Sequence, residues 1–349
     1  MAVTGSGTQA DPWVVHNYEE FISKSGTYPE GETSAYIKFE VPGSVLDCNT
    51  YGSEFKWEQF TAATPYGSSG TVEWYVYIDL NGTTIKNFII KENVPMFRAT
   101  HRGMAYDWAN AHIVVKNGSF RNVFLGSATS KIAVAENEGA SVEFDNVSFS
   151  INSTGSTEAI FDGGNRYDMI FDNCALYLVC ATLNAPIGIE CVFTDTDLEL
   201  HINNQNGIIP FRGNGVFGTY SALTDCRIQG KIGGTTFPHA ESSTYSVLGC
   251  ATPYNSGDTN GACKLVNCVV DLDLTDSYIT EGGTVSYYIY KASDTTDLNT
   301  NVLCKSHYPS DGSSRYVYPS DWNYMTHEQI RNAEYLNSKG FVVVDVSGS

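Results

Sequence analysis

Asp195, Asp197 and Glu199 stand at alternate positions of TDTDLEL, and Asp271 and Asp273 repeat that spacing in VDLDL. Glycoside hydrolysis needs two carboxylates roughly 5 to 9.5 Å apart, one holding a proton and one ionised. Alternate residues of a strand share a face about 7 Å apart. Both runs therefore have the residue types and spacing for cleaving a glycan. The same alternation is also what the solvent side of any half-exposed strand shows, and that plainer account is the expectation for both. A different chemistry is offered by Asp162, Arg166 and Asp168 in FDGGNRYD and by His101, Arg102 and Asp107 in THRGMAYDW. An acid beside a base could serve a polysaccharide lyase, although a Gly-Gly turn explains the first stretch without chemistry. The candidates are Asp195, Asp197, Asp271, Asp273 and Asp162, and none is committed to catalysis.

Other chemistries have less behind them. The spaced acids of an EF-hand and the GGxGxD calcium repeat are absent. The nine cysteines form no CxxC pair, so they read as buried thiols packing as small hydrophobes, and no metal or cofactor is expected. Asn81, Asn117, Asn146 and Asn152 begin glycosylation-like triplets but read as turn asparagines. With 39 acidic against 20 basic residues the net charge is -19, which opposes binding to nucleic acid or to anionic membranes. No apolar run approaches the roughly 20 residues of a membrane span, and the first residues lack the features of a secretory signal. The expectation is synthesis in a cytoplasm.

The elements that would position these residues follow from a repeat. TTIKNFII, VEFDNVSFSI, MIFDNCALYL, ALTDCRIQGKI and KLVNCVVDLDL share one grammar: an apolar residue, Asn or Asp, a small or apolar residue, then alternation. The anchors are Asn87, Asn146, Asn173, Asp225 and Asn267, with weaker copies at Asn122 and Asp195. Periods of 20 to 50 residues signal a solenoid, and the shorter spacings leave room for three short strands but no long helix. The strands are rich in Val, Ile, Phe, Tyr and Thr, with Gly, Asn, Ser and Thr between them. The reading is an all-β chain, a single-stranded right-handed parallel β-helix over residues 46–285. The anchors would stack as a turn ladder bonded through their side chains, with Val147, Cys174, Cys226 and Cys268 pointing inward.

Open coil edges would polymerise unless capped. Residues 1–45 read as an N-terminal cap, a strand WVVH followed by a short helix YEEFISKSG opened by Asn17 and Glu20. Residues 286–349 read as a C-terminal cap with a helix over 326–339, stopped by Gly340 and followed by the strand FVVVDV.

Two stretches carry a family resemblance. GTQADPWVVHNYEEF resembles the lead-in before β-helical repeats in bacterial surface proteins and at the start of many bacteriophage structural proteins, and MTHEQIRNAEYLNSKGFVVV resembles a C-terminal segment of the same phage proteins. Met1 directly before the lead-in favours the phage. The resemblance implies a non-enzymatic virion structural protein, a capsid decoration or head fibre or a tail-associated spike. Its implied partners are other virion proteins and further copies of the chain, as a trimer, with a role in host-surface glycan adhesion. The alternatives are a tailspike-like polysaccharide depolymerase, hydrolase or lyase, and a bacterial surface adhesin.

Overall fold

The computed structural model describes residues 2–64, 72–100, 110–136, 139–157, 159–163, 168–183, 187–205, 217–218, 221–232, 236–237, 245–246, 264–266, 268–273, 278–279, 286–288, 299–300, 303–307, 315–316 and 334. The C-terminal helix expected over 326–339 lies outside these residues, Glu334 excepted. The chain divides into two units. Unit 1 is Met1–Asn152 with Ile160–Cys174, and unit 2 is Ser153–Ala159 with Ala175–Ser349.

In unit 1 the strands Ser34–Phe39, Glu73–Asp79, Asn110–Leu125, Ser141–Thr157 and Met169–Asp172 follow one another as parallel neighbours. Their registers make continuous files. Ala35, Val76, Ile113, Val142 and Met169 lie side by side, and so do Ile37, Ile78, Val115, Phe144 and Phe171; all ten are buried. At about 1.5 to 3 kcal/mol for each large apolar side chain removed from water, such files hold one coil to the next. The other walls supply apolar, mostly aromatic rungs, Ile85, Phe120 and Phe149 on one and Phe60, Phe97, Ala133 and Phe161 on another. Phe120 stacks on Phe149 with ring centroids 5.4 Å apart. This is a parallel β-helix, right-handed like nearly all parallel crossovers.

Unit 2 repeats the plan. Ala175–Leu183, Asp197–Gln205, Arg227–Ile232, Val269–Asp273 and Leu303–His307 are successive parallel neighbours. Leu176, Leu198, Ile228 and Val270 form a buried file. Gly230 sits beside Leu200 at φ +128°, and a Cβ there would lie 2.0 Å from the Leu200 carbonyl oxygen. Only glycine fits where two backbones approach so closely.

The corners explain the Asn/Asp grammar. Asn87, Asn122, Asn146, Asn173, Asp195 and Asp225 all have left-handed φ between 47° and 64°, a conformation that Asn and Asp tolerate better than other side-chain-bearing residues. Asn267 lies outside the described residues. The anchors do not form one ladder. Asn87 belongs to a corner with Asp47 and Asn122, where Asn122 Nδ2 donates to Asn87 Oδ1 at 3.0 Å and Asn87 Nδ2 donates to Asp47 Oδ1 at 2.8 Å. Asn146 belongs to another, donating to Asn117 Oδ1 at 3.1 Å, while Asn117 donates to Asp79 Oδ1 at 3.1 Å. The physical reason is that a coil has more than one bend, and each bend needs the same backbone. After the Asn146-type corner comes an inward residue: Val147, Cys174, Thr196, Cys226 and Cys268 are all buried. The three thiols among them donate to backbone carbonyls, Cys174 to Phe144 and Asp172, Cys226 to Phe193 and Thr224, Cys268 to Leu223 and Val266. Burial pushes the Cys174 thiol up to about 12, so it stays protonated.

The N-terminal lead-in covers the first coil of unit 1. Strand Trp13–Val15 pairs with Ile37 to Phe39, and the Tyr36 amide donates to the Gly7 carbonyl at 2.8 Å. The helix is shorter than expected, Tyr18–Ile22, and it buries Tyr18 and Phe21. Phe21 stacks on Phe60 at 4.7 Å, closing the end of the aromatic interior. Asn17 Oδ1 accepts the Glu20 amide at 2.9 Å, but the Glu20 carboxylate returns to the His16 amide instead of that of Asn17. The reciprocal bond is thus displaced by one residue.

Candidate functional site

The residues singled out for chemistry have structural partners wherever their side chains are described. Asp195 turns a corner at φ 47°, between strands Cys191–Thr194 and Asp197–Gln205, so it does not share a strand with Asp197. Asp197 is buried and accepts from Arg227 Nη2 at 2.9 Å. Glu199 pairs with His201 Nε2 at 2.8 Å and accepts from Gln229. Asp162 forms an ion pair with Lys131. Asp271 and Asp273 lie beside Gln229 and Lys231 on one side and Lys305 and His307 on the other by backbone register. The Asp168 carbonyl accepts the Val142 amide at 2.9 Å. His101, Arg102, Asp107 and Arg166 lie outside the described residues.

The structure gathers a different set on the outward face of unit 1. Outward positions alternate with the buried files, which places Ser34, Tyr75, His112 and Ser141 in one row and Tyr36, Tyr77, Val114, Glu143 and Ile170 in the next. A third row holds Lys38, Asp79, Lys116, Asp145 and Asp172. The rings stack across coils, Tyr36 on Tyr77 at 4.7 Å and 11°, and Tyr75 on His112 at 4.4 Å and 17°. Tyr75 and Tyr77, alternate residues of one strand, stand 5.6 Å apart and nearly parallel. Stacked rings on an outer face keep their apolar surfaces covered while their edges and hydroxyls meet solvent.

Polar groups around this stack are unequally satisfied. Tyr75 Oη donates to Glu73 Oε2 at 2.7 Å. Burial, and after it that bond, pushes the Tyr75 phenol up to about 12. His112 is only 9% exposed; its Nδ1 meets Ser141 Oγ at 2.7 Å, whereas its Nε2 is buried without a partner. Burial lowers its proton affinity, with the Glu73 charge opposing, so the ring is held neutral. Val114, between Tyr77 and Glu143 in register, is small. Glu143 is half-buried, and its pKa is raised first by that burial and then by the charges of Asp145 and Asp172. Asp145 and Asp172 are direct neighbours on adjacent strands, a like-charge placement that costs stability. Among the described residues neither makes an ion pair.

This face carries a half-buried carboxyl whose pKa is raised, two further carboxylates in the adjacent row, an imidazole whose proton affinity is lowered, and three phenols. Such a set can hydrogen-bond the hydroxyls of a sugar chain. Its sequence signal is the alternation of EWYVYID and VEFDN, the same signal as TDTDLEL. What alternation does not reveal is register across coils, which alone puts Tyr77 and Glu143 in one outward row and Asp172 in the next.

No family model matches the chain, and no curated protein matches it. Solved structures do. A Bacteroides ovatus chain described as a candidate immunoglobulin A1 protease is 13% identical with a TM-score of 0.39, over 93% of this chain and 84% of that one. The A-module of Azotobacter vinelandii mannuronan C-5 epimerase AlgE6 is 11% identical with a TM-score of 0.24, over 83% and 82%. Both likenesses are too distant to bear on chemistry.

Proposed function

We propose that this chain is a structural component of a bacteriophage virion, a rigid β-helical mount that holds a host-surface glycan on the tyrosine–histidine face of unit 1. The observation that carries the reading is the ring stack, Tyr36 on Tyr77 and Tyr75 on His112, fixed by the coil register and edged with hydroxyls and an unpartnered ring nitrogen. Each ring is held by its neighbour before any ligand arrives, so little side-chain entropy is lost on binding. The virion setting is supported by the lead-in and the C-terminal segment of the sequence. The carboxylates singled out in the sequence and described with their side chains serve corners and ion pairs, which suits a mount.

The test is retention on gels containing neutral polysaccharides of the host surface, with wild-type protein beside Tyr77→Ala and a Lys56→Ala control outside the face. Retention lost in Tyr77→Ala and kept in the control is expected. Equal retention of both variants rules out this face as the contact. A mass in solution reports whether the mount is the expected trimer.

A further inference from the structure

We infer that Ser141 and His112 form a nucleophile and base pair that cleaves short, uncharged acyl esters on the outward face of unit 1. Ser34, Tyr75, His112 and Ser141 occupy one outward row by register. Within that row His112 Nδ1 stands 2.7 Å from Ser141 Oγ. Acyl transfer through a serine needs a base within hydrogen-bond reach of the hydroxyl and a third group that fixes the base. Here the third group is Tyr75, whose ring lies on the imidazole with centroids 4.4 Å apart at 17°. Tyr75 is itself tied through its hydroxyl to Glu73 at 2.7 Å. Neither the virion setting nor a bound glycan is needed for this chemistry.

Three observations separate the pair from an ordinary structural hydrogen bond. A buried histidine kept for structure has its ring nitrogens satisfied, but His112 Nε2 is buried and unpartnered, at a cost in stability. When Nδ1 accepts from the Ser141 hydroxyl, the ring hydrogen sits on Nε2, which is the tautomer that a general base requires. The two residues also differ in exposure. His112 is buried and Ser141 only partly so, which opens the hydroxyl to a substrate while shielding the base from water. Finally, burial lowers the proton affinity of the imidazole and keeps it free to accept, while the Glu73 charge favours the imidazolium once a proton arrives. The neighbours set the substrate class. Val114, between Tyr77 and Glu143 by register, is the smallest side chain of the next row and leaves room for a short acyl chain. The Glu73 charge and the net charge of -19 disfavour anionic acyl groups.

In the reaction Ser141 Oγ bonds to the carbonyl carbon of the ester as its proton passes to His112 Nδ1, and the carbonyl π pair moves onto oxygen. Collapse of that adduct breaks the bond to the alcohol oxygen, which leaves with the proton from His112. Water then attacks the acyl-serine, giving one proton to His112 Nδ1. As the bond from the acyl carbon to Ser141 Oγ breaks, that proton returns to the serine. One ester and one water become one alcohol and one carboxylic acid, and both side chains are restored. Tyr75 and Glu73 act through His112 as positioning residues.

The experiment mixes the full chain with p-nitrophenyl acetate and, separately, with a fluorophosphonate that phosphonylates activated serines. Nitrophenolate release is followed by absorbance, and the adduct is mapped by peptide mass. Expected are a burst of about one equivalent of nitrophenolate per chain and an adduct on Ser141 that is absent when the chain is unfolded in urea. Ser141→Ala should remove both, and His112→Gln should slow the burst by about 10² to 10⁴-fold. His16→Gln, a change at the N-terminal lead-in, controls for background hydrolysis by imidazole and should leave the burst intact. Where Ser141→Ala does not fold, the adduct on the wild-type chain decides alone. A wild-type chain without an adduct on Ser141, or a burst that survives Ser141→Ala, overturns the pair. Equal rates on p-nitrophenyl acetate and on the anionic p-nitrophenyl hemisuccinate overturn the restriction to uncharged acyl groups.

Discussion

The outward faces of the two units are built on the same strand grammar and end in opposite electrostatic states. In unit 2 Asp197 meets Arg227 from the next coil and Glu199 meets His201 two residues along, so acids are answered by bases at hydrogen-bond distance. In unit 1 Glu143, Asp145 and Asp172 lie in adjacent outward rows with no ion pair among the described residues. A parallel coil repeats whatever it places at a corner or a file, so neutralising a charge takes only one complementary residue one coil away. Unit 2 has that residue at Arg227; unit 1 has a second aspartate at the equivalent step. The difference teaches where stability has been left unspent, and such places are where sites are sought.

The comparison breaks most visibly at the ion pair of unit 2. With side chains 5% and 15% exposed, Asp197 and Arg227 form a largely buried pair, and removing one partner leaves the other uncompensated. Asp197→Ala should therefore cost about 3 to 5 kcal/mol, while replacing both by Leu and Met should cost far less. Equilibrium denaturation of the two variants decides it, and equal losses would mean that the pair is not electrostatically special. Glu143→Gln should go the other way. Its raised folded pKa means that the folded state binds more protons than the unfolded one. Stability is therefore lost as pH rises from the unfolded pKa through the folded one. At neutral pH the amide removes that penalty, so the variant should melt at or above wild type; a lower melting temperature would show that the carboxylate has a stabilising partner.

The corners sharpen the comparison on a smaller scale. Asn117 combines φ 57° with two ladder bonds, one given to Asp79 and one taken from Asn146. Asn117→Ala should cost about 2 to 3 kcal/mol, the sum of a left-handed conformation without a tolerant side chain and a lost ladder. Asn117→Gly should recover the conformational part only. Asp225 of unit 2 has the same backbone, φ 55°, but a carboxylate cannot donate along a stack. For Asp225, Gly and Asn replacements should therefore bracket wild type closely. Denaturation midpoints of the four variants test this, and a Gly replacement as harmful as Ala at Asn117 would mean that the ladder, not φ, dominates.

Much of this is legible in the sequence. The spacing of Asn87, Asn146, Asn173 and Asp225 marks solenoid corners because left-handed backbone restricts residue type, and that restriction leaves a trace in sequence. Inward Val147, Cys174 and Cys226 were legible by the alternation that follows each corner. What escaped was register. Two corners with one residue preference look identical in sequence, so Asn87 and Asn146 read as one ladder although they occupy different bends. Asp195, Asp197 and Glu199 read as one line because nothing in TDTDLEL says that the backbone turns at Asp195. Glu143 and Asp172 escaped for the complementary reason: they are neighbours across coils only once each strand's offset is fixed, and that offset depends on loop lengths that carry no chemical signature.

The smallest expected effect lies at the N-terminal lead-in, where an acid–base contact of the unit 2 kind recurs inside unit 1. His16 sits between two carboxylates, Nδ1 at 2.7 Å from Glu20 and Nε2 at 3.0 Å from Glu40. The Glu20 hydrogen bond leads in raising the His16 pKa, with burial opposing and the Glu40 and Glu20 charges adding. For Glu20 burial pushes upward, but the bonds from the His16 side chain and amide outweigh it and leave the pKa lowered. The two shifts set a window. Stabilisation from His16 is complete below its unfolded value near 6.5 and is lost as pH rises through the higher folded value. Stabilisation from Glu20 is present above its unfolded value near 4.5 and is lost as pH falls through the lower folded one. The cap should thus be tightest between roughly pH 4.5 and 6.5, and hydrogen exchange of the Tyr18–Ile22 amides should be slowest there relative to His16→Gln. A variant whose cap exchange keeps the wild-type pH profile would show that the helix is held by the packing of Tyr18 and Phe21 and not by the His16 contacts.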